Sequence, residues 1–238
     1  KKVGNKALKE RYDIEFHWCS SDNSSIDGVV IPDKKTAFID GTAPHIVDPI
    51  YPGAVDQILN FGRYWNKEML VKHTTDIINL TNKISTYFKE TYLILNKTKQ
   101  IYNVQKRYYQ ELLDKDNFEK IRQDLINKLI TKNQKNKIKG KERHLFSTAI
   151  TPEGVKSFLG ELSENYNNRY LILGNPGSGS NKLIKTLGTK AVEAGYSTTF
   201  LHSTFEPESS NGIIIPDLDL TIINGSFPEK IETTEKEN

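Results

Sequence analysis

The feature that most constrains this chain is an internal similarity at an offset of 184 residues. Aligned without a gap, residues 1–44 and 185–228 are identical at 14 of 44 positions, whereas average composition gives about 3 by chance. A similarity of this kind predicts two copies of one structural unit. The identical pairs are Lys1/Lys185, Gly4/Gly188, Lys6/Lys190, Ala7/Ala191, Tyr12/Tyr196, Phe16/Phe200, Ser25/Ser209, Gly28/Gly212, Ile31/Ile215, Pro32/Pro216, Asp33/Asp217, Ile39/Ile223, Gly41/Gly225 and Pro44/Pro228.

A glycine-rich stretch precedes the second copy. An apolar run at 169–173 leads into this stretch, and a helical pattern at 182–194 follows it. A strand, a glycine-rich loop and a helix in this order surround a phosphate group with backbone N–H groups. The predicted nucleotide-binding residues are Gly174, Asn175, Pro176, Gly177, Ser178, Gly179, Ser180 and Asn181.

The side chains of this loop depart from the motif G-x-x-x-x-G-K-[ST]. Gly174 and Gly179 match it, but Ser180 replaces the lysine and Asn181 replaces the metal-binding hydroxyl. Lys182 does not substitute for the missing lysine, since two positions along a helix correspond to about 200° of rotation. We therefore predict a degenerate loop that binds nucleotide weakly.

Asp40 is the candidate catalytic residue and the candidate metal-side acid. It follows the apolar strand pattern 36–39, as the carboxylate that holds Mg²⁺ does in P-loop enzymes. An aspartate at a strand end is common in α/β proteins, and the phosphate loop one repeat away is what favours the catalytic interpretation. Its counterpart in the second copy is the neutral Asn224, which favours loss of chemistry there.

A second set of polar residues lies near the same predicted sheet edge. Their spacing matches no zinc pattern, so roles in lining a substrate or in the structure are favoured over a metal site. These residues are His17, Cys19, Asp22 and His45.

The order of strands and helices predicts an α/β fold with tandem P-loop NTPase-like parallel sheets. The first repeat is assigned to residues 1–146 and the second to 147–238. The offset implies that the strand and the phosphate loop of the first repeat precede residue 1, so we expect a fragment that is inactive as it stands. Thr151 and Pro152 are predicted to begin a helix that ends near Leu162.

The first repeat carries a predicted helical-hairpin insert over 63–131. No glycine or proline occurs between residues 63 and 139, and apolar residues recur every seven positions as in a coiled coil. A shorter stripe is predicted to pack back on the first helix as an antiparallel arm. The first stripe contains Leu80, Tyr87, Ile94, Ile101 and Tyr108, and the second contains Phe118, Ile121, Leu125 and Leu129. A basic linker is assigned to 132–143.

Composition limits the compartment and the partners. The hydrophobic fraction of 36% and the charged fraction of 26% are those of a soluble globular protein. No apolar run is long enough for a membrane span. The net charge of +3 is too small to argue by itself for a nucleic-acid partner, and the lone Cys19 favours a reducing cytoplasm.

Several short segments carry a resemblance to known proteins: HWCSSD at 17–22, DGVVIP at 27–32, DGTAPH at 40–45, DP at 48–49 with YPGA at 51–54, and HLF at 144–146 with AITPEG at 149–154. Through these segments the chain resembles an uncharacterised bacterial family of duplicated P-loop proteins that are described as predicted ATPases. The resemblance implies ATP and Mg²⁺ as ligands, and an intact lysine and hydroxyl in both loops, from which Ser180 and Asn181 depart. It covers nearly the whole chain apart from the linker and the last ten residues.

Three functional hypotheses follow. The first is an ATP-binding NTPase or phosphotransferase whose chemistry lies in the first repeat at Asp40. The alternative is a non-catalytic nucleotide-sensing or scaffold protein, in which the helical arm docks a protein partner. Nucleic-acid binding through the basic linker is the weakest hypothesis.

Overall fold

The computed structural model describes residues 1–43, 45–130 and 138–226. The chain forms two compact units, Lys1–Leu95 and Asn96–Asn238. It is a mixed α/β protein with parallel and antiparallel strand pairs. The division between Leu95 and Asn96 falls inside a helix. Over the described residues, no helix is both long and apolar enough to cross a membrane.

The first unit contains a three-stranded antiparallel sheet. Helix α1 (Lys2–Lys9) precedes β1 (Glu15–Trp18), β2 (Ile26–Ile31) and β3 (Thr36–Ile39), and the strands lie in the order β1-β2-β3. Buried Val29 and Ile31 of β2 form the core with Ala7 of α1. The helix lies close to the sheet because a Cβ at Gly4 would stand only 2.5 Å from the ring of Phe16.

Two further helices follow along the chain. Helix α2 (Lys67–Lys72) is capped by Asn66, whose Oδ1 accepts from the Met69 N–H at 3.1 Å. Helix α3 (Thr74–Glu111) is a continuous helix of 38 residues, which at 1.5 Å per residue makes it about 57 Å long. The long helix predicted from the absence of glycine and proline is therefore present.

The second unit contains a five-stranded sheet. Its strands are β4 (Glu142–Phe146), β7 (Asn168–Ile172), β8 (Thr198–His202), β9 (Ser210–Ile215) and β10 (Leu220–Asn224). They lie in the order β4-β8-β9-β10-β7. Strands β4 and β8 pair in parallel, as do β10 and β7, whereas β9 is antiparallel to both of its neighbours.

The prediction of tandem parallel sheets is thus wrong for the first unit, whose sheet is antiparallel throughout, and holds only for two strand pairs of the second unit. A parallel pair needs a long crossover between its strands, while short connections join antiparallel neighbours. Only the 3₁₀ turn Pro216–Leu218 and Asp219 connect β9 to β10, and residues 203–209 connect β8 to β9. These connections are too short for a crossover helix, so β9 returns in the opposite direction.

Helices cover both faces of the five-stranded sheet. Helix α6 (Ser180–Glu193) packs on one face together with α4 (Lys115–Leu129), and α5 (Leu159–Glu164) packs on the other. Every residue of β9 and β10 is buried, because helices cover both faces of the sheet there. The apolar stripe of α4 packs on α6 and the sheet, rather than along α3 as predicted.

The same order of elements occurs twice at the offset seen in the sequence. Strand pairing in the first unit joins Gly28 to Ile39, and pairing in the second joins Gly212 to Ile223. Lys35 and Asp219 both have φ of 49° after a 3₁₀ turn. The close approach of Gly4 to the ring of Phe16 also has a counterpart, since a Cβ at Gly188 would stand 2.5 Å from the ring of Phe200.

Two predicted boundaries differ from the structure. The segment expected to begin a helix at Thr151 forms a hairpin of β5 (Thr148–Thr151) and β6 (Gly154–Ser157). Thr151 Oγ1 donates to the Gly154 carbonyl at 2.7 Å, and φ of 103° at Gly154 favours a turn over a helix. Strand β4 pairs with β8 in the second unit and includes Glu142 and Arg143 of the predicted linker. Residues 131–137, which contain most of the rest of that linker, lie outside the described residues.

Candidate functional site

The glycine-rich loop joins the end of β7 to the start of α6. Gly179 is the N-cap residue of α6 and has φ of 90°, and Gly177 has φ of 95°. Such values are costly for residues that carry a Cβ, which explains why glycine stands at both positions. The Ser178 N–H donates to the Asn175 carbonyl at 3.0 Å and closes the turn. Gly179, as the N-cap, offers no side chain to cap the first turn of α6.

The end of β10 holds this loop in place. The Gly174 N–H donates to Ser226 Oγ at 2.8 Å, and the Gly225 N–H donates to the Ile172 carbonyl at 3.1 Å. The Ser226 N–H in turn donates to Asn224 Oδ1 at 3.0 Å. The glycine-rich loop and the strand that carries Asn224 therefore meet at one edge of the sheet.

Asn224 connects the two parts of the predicted site. Its Nδ2 donates to Asn181 Oδ1 at 2.7 Å and to Ser180 Oγ at 3.2 Å. The side chain is buried, so these bonds satisfy an amide that is inaccessible to bulk water. The structure thus brings Asn224 into contact with the adjacent residues Ser180 and Asn181, which lie 44 and 43 residues earlier in the chain.

This constellation does not fit Mg²⁺. Mg²⁺ is usually held by one or two carboxylates, whereas Ser180, Asn181 and Asn224 are all neutral. The Asn224 amide oxygen already accepts from the Ser226 N–H, and its NH₂ group faces Ser180 and Asn181. These three side chains therefore offer neither the charge nor the free oxygens that a divalent cation needs.

Two helices lie against the outside of the loop. A Cβ at Gly177 would overlap the backbone carbonyl of Lys106 in α3, and one at Gly179 would stand 2.6 Å from the ring of Phe118 in α4. The Lys106 Nζ is 2.6 Å from Glu206 Oε1, and the two side chains are 30% and 12% exposed. The lysine whose backbone touches the loop is therefore paired with a carboxylate.

The sequence did not reveal these contacts. Phe118 belongs to the stripe that was predicted to face α3, and Lys106 and Glu206 lie 100 residues apart without any shared motif. The contact made by Ser226 could have been predicted from the sequence, because Ser226 corresponds to Thr42 at the 184-residue offset. Thr42 makes the same turn, since its N–H donates to Asp40 Oδ1 at 2.9 Å.

Lys182 lies away from the loop, as helix rotation predicts. It is exposed on α6, where it lines a shallow surface groove with Lys185, Thr186, Thr189 and Lys190. None of the residues that line this groove belongs to the glycine-rich loop.

Asp40 is an exposed residue immediately after β3. Its carboxylate accepts from the Thr42 N–H at 2.9 Å and from Thr42 Oγ1 at 2.7 Å. These bonds lower the pKa of Asp40 below its ordinary value, and His45 adds a smaller effect in the same direction. Asp40 is thus an ionised carboxylate where the second unit has the neutral Asn224.

The other polar residues of the first unit make local contacts. Asp22 accepts from the Ser24 and Ser25 hydroxyl groups at 2.7 and 2.6 Å. His45 Nε2 lies 3.7 Å from Asp27 Oδ2. Within residues 1–43, 45–130 and 138–226, no group of three or more histidine, cysteine, aspartate or glutamate side chains is arranged to hold a metal ion.

A scan against protein-family models and searches of the curated proteins and of the solved structures gave no match to this chain. The resemblance to duplicated P-loop proteins therefore stays a prediction that rests on the residues of this chain.

Proposed function

We propose that the chain derives from a duplicated P-loop protein whose second unit is a non-catalytic scaffold. The observation that carries this proposal is the contact of Asn224 with both Ser180 and Asn181. It supports a P-loop arrangement in which the lysine, the hydroxyl and the acid are all replaced by neutral groups that do not serve their roles. The repeated strand register at the 184-residue offset supports the duplication.

A neutral loop has a clear energetic consequence for nucleotide binding. A hydrogen bond to a charged group contributes about 1.5 to 3 kcal/mol, so loss of the lysine weakens ATP binding by about 10-fold to 150-fold. The helices against Gly177 and Gly179 further restrict access to the loop. ATP should therefore bind weakly and without dependence on Mg²⁺.

The test is a titration of the chain with ATP, with and without Mg²⁺, alongside an assay for phosphate release. We expect weak binding, no effect of Mg²⁺ and no hydrolysis. The combined variant Ser180→Lys, Asn181→Ser, Asn224→Asp should bind ATP at least about tenfold more tightly and should respond to Mg²⁺. Lys182→Ala is the matched control and should leave the affinity unchanged.

Two outcomes would contradict the proposal. Tight Mg²⁺-dependent binding by the unaltered chain would show that the loop keeps its chemistry. If the combined variant gained no affinity, the loop would not be a degenerate phosphate site at all.

A second candidate function is ATP hydrolysis or phosphoryl transfer in the first unit, with Asp40 as the acid that holds Mg²⁺. One observation favours it: Asp40 and Thr42 form the turn that Asn224 and Ser226 form, but with an ionised carboxylate. In the same assay, Mg²⁺-dependent phosphate release that Asp40→Asn abolishes would support this candidate. Release that is insensitive to Asp40→Asn would reject it.

A further inference from the structure

Helix α3 carries an exposed apolar seam along its length. The seam residues occupy a and d positions of a coiled-coil heptad, with spacings of three and four residues in its first half. Their exposed fractions lie between 42% and 73%. The residues are Ile77, Leu80, Ile84, Tyr87, Ile94 and Ile101.

Residues of α3 outside the seam make the contacts of this helix within the second unit. The ring of Tyr102 packs edge-on against Phe205 at 5.1 Å between centroids, and Lys106 pairs with Glu206. Helix α4, which the sequence suggested as the partner of the seam, packs on α6. The seam side chains thus remain largely exposed to solvent along the part of α3 that precedes these contacts.

Charged residues of alternating sign flank the seam on one side. They occur every seven residues, each directly before an a position, and are Asp76, Lys83, Glu90 and Lys97. The Lys83 Nζ lies 5.8 Å from the centroid of the Tyr87 ring, which places it beside the seam. Asp76 lies 3.6 Å from His73, and that contact is on the surface of the helix.

We propose that the α3 seam binds the α3 seam of a second copy of this chain, in antiparallel orientation. In an antiparallel pair, the flanking residues of one helix meet the same flank of the other. When Ile84 lies opposite the partner's Tyr87, Lys83 meets the partner's Glu90 and Asp76 meets the partner's Lys97. Two-fold symmetry repeats both contacts, so all four flanking pairs are attractive.

The flanking charges select this register over its neighbours. A shift of one heptad in one direction brings Lys83 against the partner's Lys97 and Glu90 against the partner's Glu90. The opposite shift brings Lys83 against the partner's Lys83 and Asp76 against the partner's Glu90. A parallel pair would instead place these charges against uncharged residues, which are Thr81, Phe88, Leu95 and Tyr102. Flanking charges are what set orientation and partner in coiled coils, so the antiparallel register is favoured.

The selected register also matches the apolar residues. Ile77 lies opposite the partner's Ile94, Leu80 opposite the partner's Thr91, and Ile84 opposite the partner's Tyr87, with each layer repeated by symmetry. The contact runs over about 26 Å of helix. No residue of the glycine-rich loop takes part, so this inference stands whether or not the nucleotide proposal holds.

The test is the molar mass of the chain in solution by sedimentation equilibrium. We expect a concentration-dependent mass that rises to about twice the chain mass of 27.2 kDa. Lys83→Glu places a carboxylate at position 83 against the partner's Glu90, and Glu90→Lys places an ammonium group at position 90 against the partner's Lys83. Each variant alone should weaken the dimer by about tenfold.

Two combinations make the test specific for the antiparallel register. In an equimolar mixture of the two single variants, one chain is acidic at positions 83 and 90 and the other is basic at both, so association should return. The double variant Lys83→Glu, Glu90→Lys should also associate, because positions 83 and 90 still carry opposite charges. Lys89→Glu, an exposed change outside the seam and its charged flank, is the control and should leave the dimer intact.

The proposal is overturned if the unaltered chain stays monomeric at every concentration. It is also overturned if neither single variant weakens association, or if the mixture fails to restore it. Far-ultraviolet circular dichroism on each variant confirms that the helix content is unchanged, which is expected because the altered side chains are exposed.

Discussion

Gly188 lies in the middle of α6, where the ring of Phe200 approaches the helix backbone. A Cβ at this position would stand 2.5 Å from Phe200 Cε1 and 2.9 Å from Ile213 Cγ2, and both neighbours are buried. A mid-helix glycine costs about 1 kcal/mol relative to alanine. The close packing of each helix on its sheet explains why glycine stands at positions 4 and 188.

Gly188→Ala should therefore destabilise the protein despite its better helix propensity. We expect the free energy of unfolding to fall by about 1 to 3 kcal/mol, because the buried ring and the isoleucine must move. Urea denaturation followed by circular dichroism measures this loss.

Gly160→Ala is the matched control for that change. Gly160 lies in α5, and the space that an added Cβ would take has no heavy atom within 4 Å. Its replacement should leave the stability unchanged or raise it slightly. Equal losses for the two variants would contradict the packing argument.

At the scale of elements, α4 belongs to the core of the second unit. Ile126 is 7% exposed and Ile130 is 2% exposed, and both pack in the cluster that contains Leu183 and Leu187 of α6. The helix begins at a capped end, where Asp114 accepts from the Asn117 N–H at 3.0 Å. The position of α4 is therefore determined by its burial against α6 and not by contact along α3.

Ile126→Ala should consequently lower the free energy of unfolding by about 2 to 5 kcal/mol, the usual cost of such a truncation in a core. Thermal unfolding monitored by circular dichroism measures the change. Ile121→Ala, at a position that is 47% exposed on the same helix, should change stability by no more than about 0.5 kcal/mol. A large loss for Ile121→Ala would instead support the antiparallel arm predicted from the sequence.

At the scale of the whole molecule, the two units bury corresponding strands to different extents. All five residues of β10 are buried, and the strand lies between β9 and β7. All four residues of β3 are exposed, and β2 is the strand with which it pairs. Two strands that correspond at the 184-residue offset are thus a core strand in one unit and a surface strand in the other.

Hydrogen exchange should separate these two strands. We expect amides of β10 to exchange at least about tenfold more slowly than those of β3, since buried ladders open only in larger unfolding events. Mass spectrometry of peptides that cover 36–39 and 220–224 measures the difference. Similar protection of both peptides would show that the first unit is as stable as the second.

Much of the structure could be predicted from local sequence patterns. The offset of 184 residues, the strand–loop–helix order around Gly174 and the long helix α3 were all legible in the sequence. Each depends on periodicity, on glycine at positions of positive φ, or on the absence of helix breakers, which are properties of neighbouring residues. The meeting of Asn224 with Ser180 and Asn181 also followed, because the carboxyl ends of parallel strands share one edge of a sheet.

Other features depended on contacts between residues distant in the chain. The antiparallel course of β9, the place of β4 beside β8 and the packing of α4 on α6 leave no periodic trace that distinguishes them from the alternatives. An apolar stripe specifies that a face will be buried, but it does not specify which surface will bury it. The partner of each stripe was therefore set by three-dimensional packing, which placed Lys106 and Phe118 against the loop and left the α3 seam exposed.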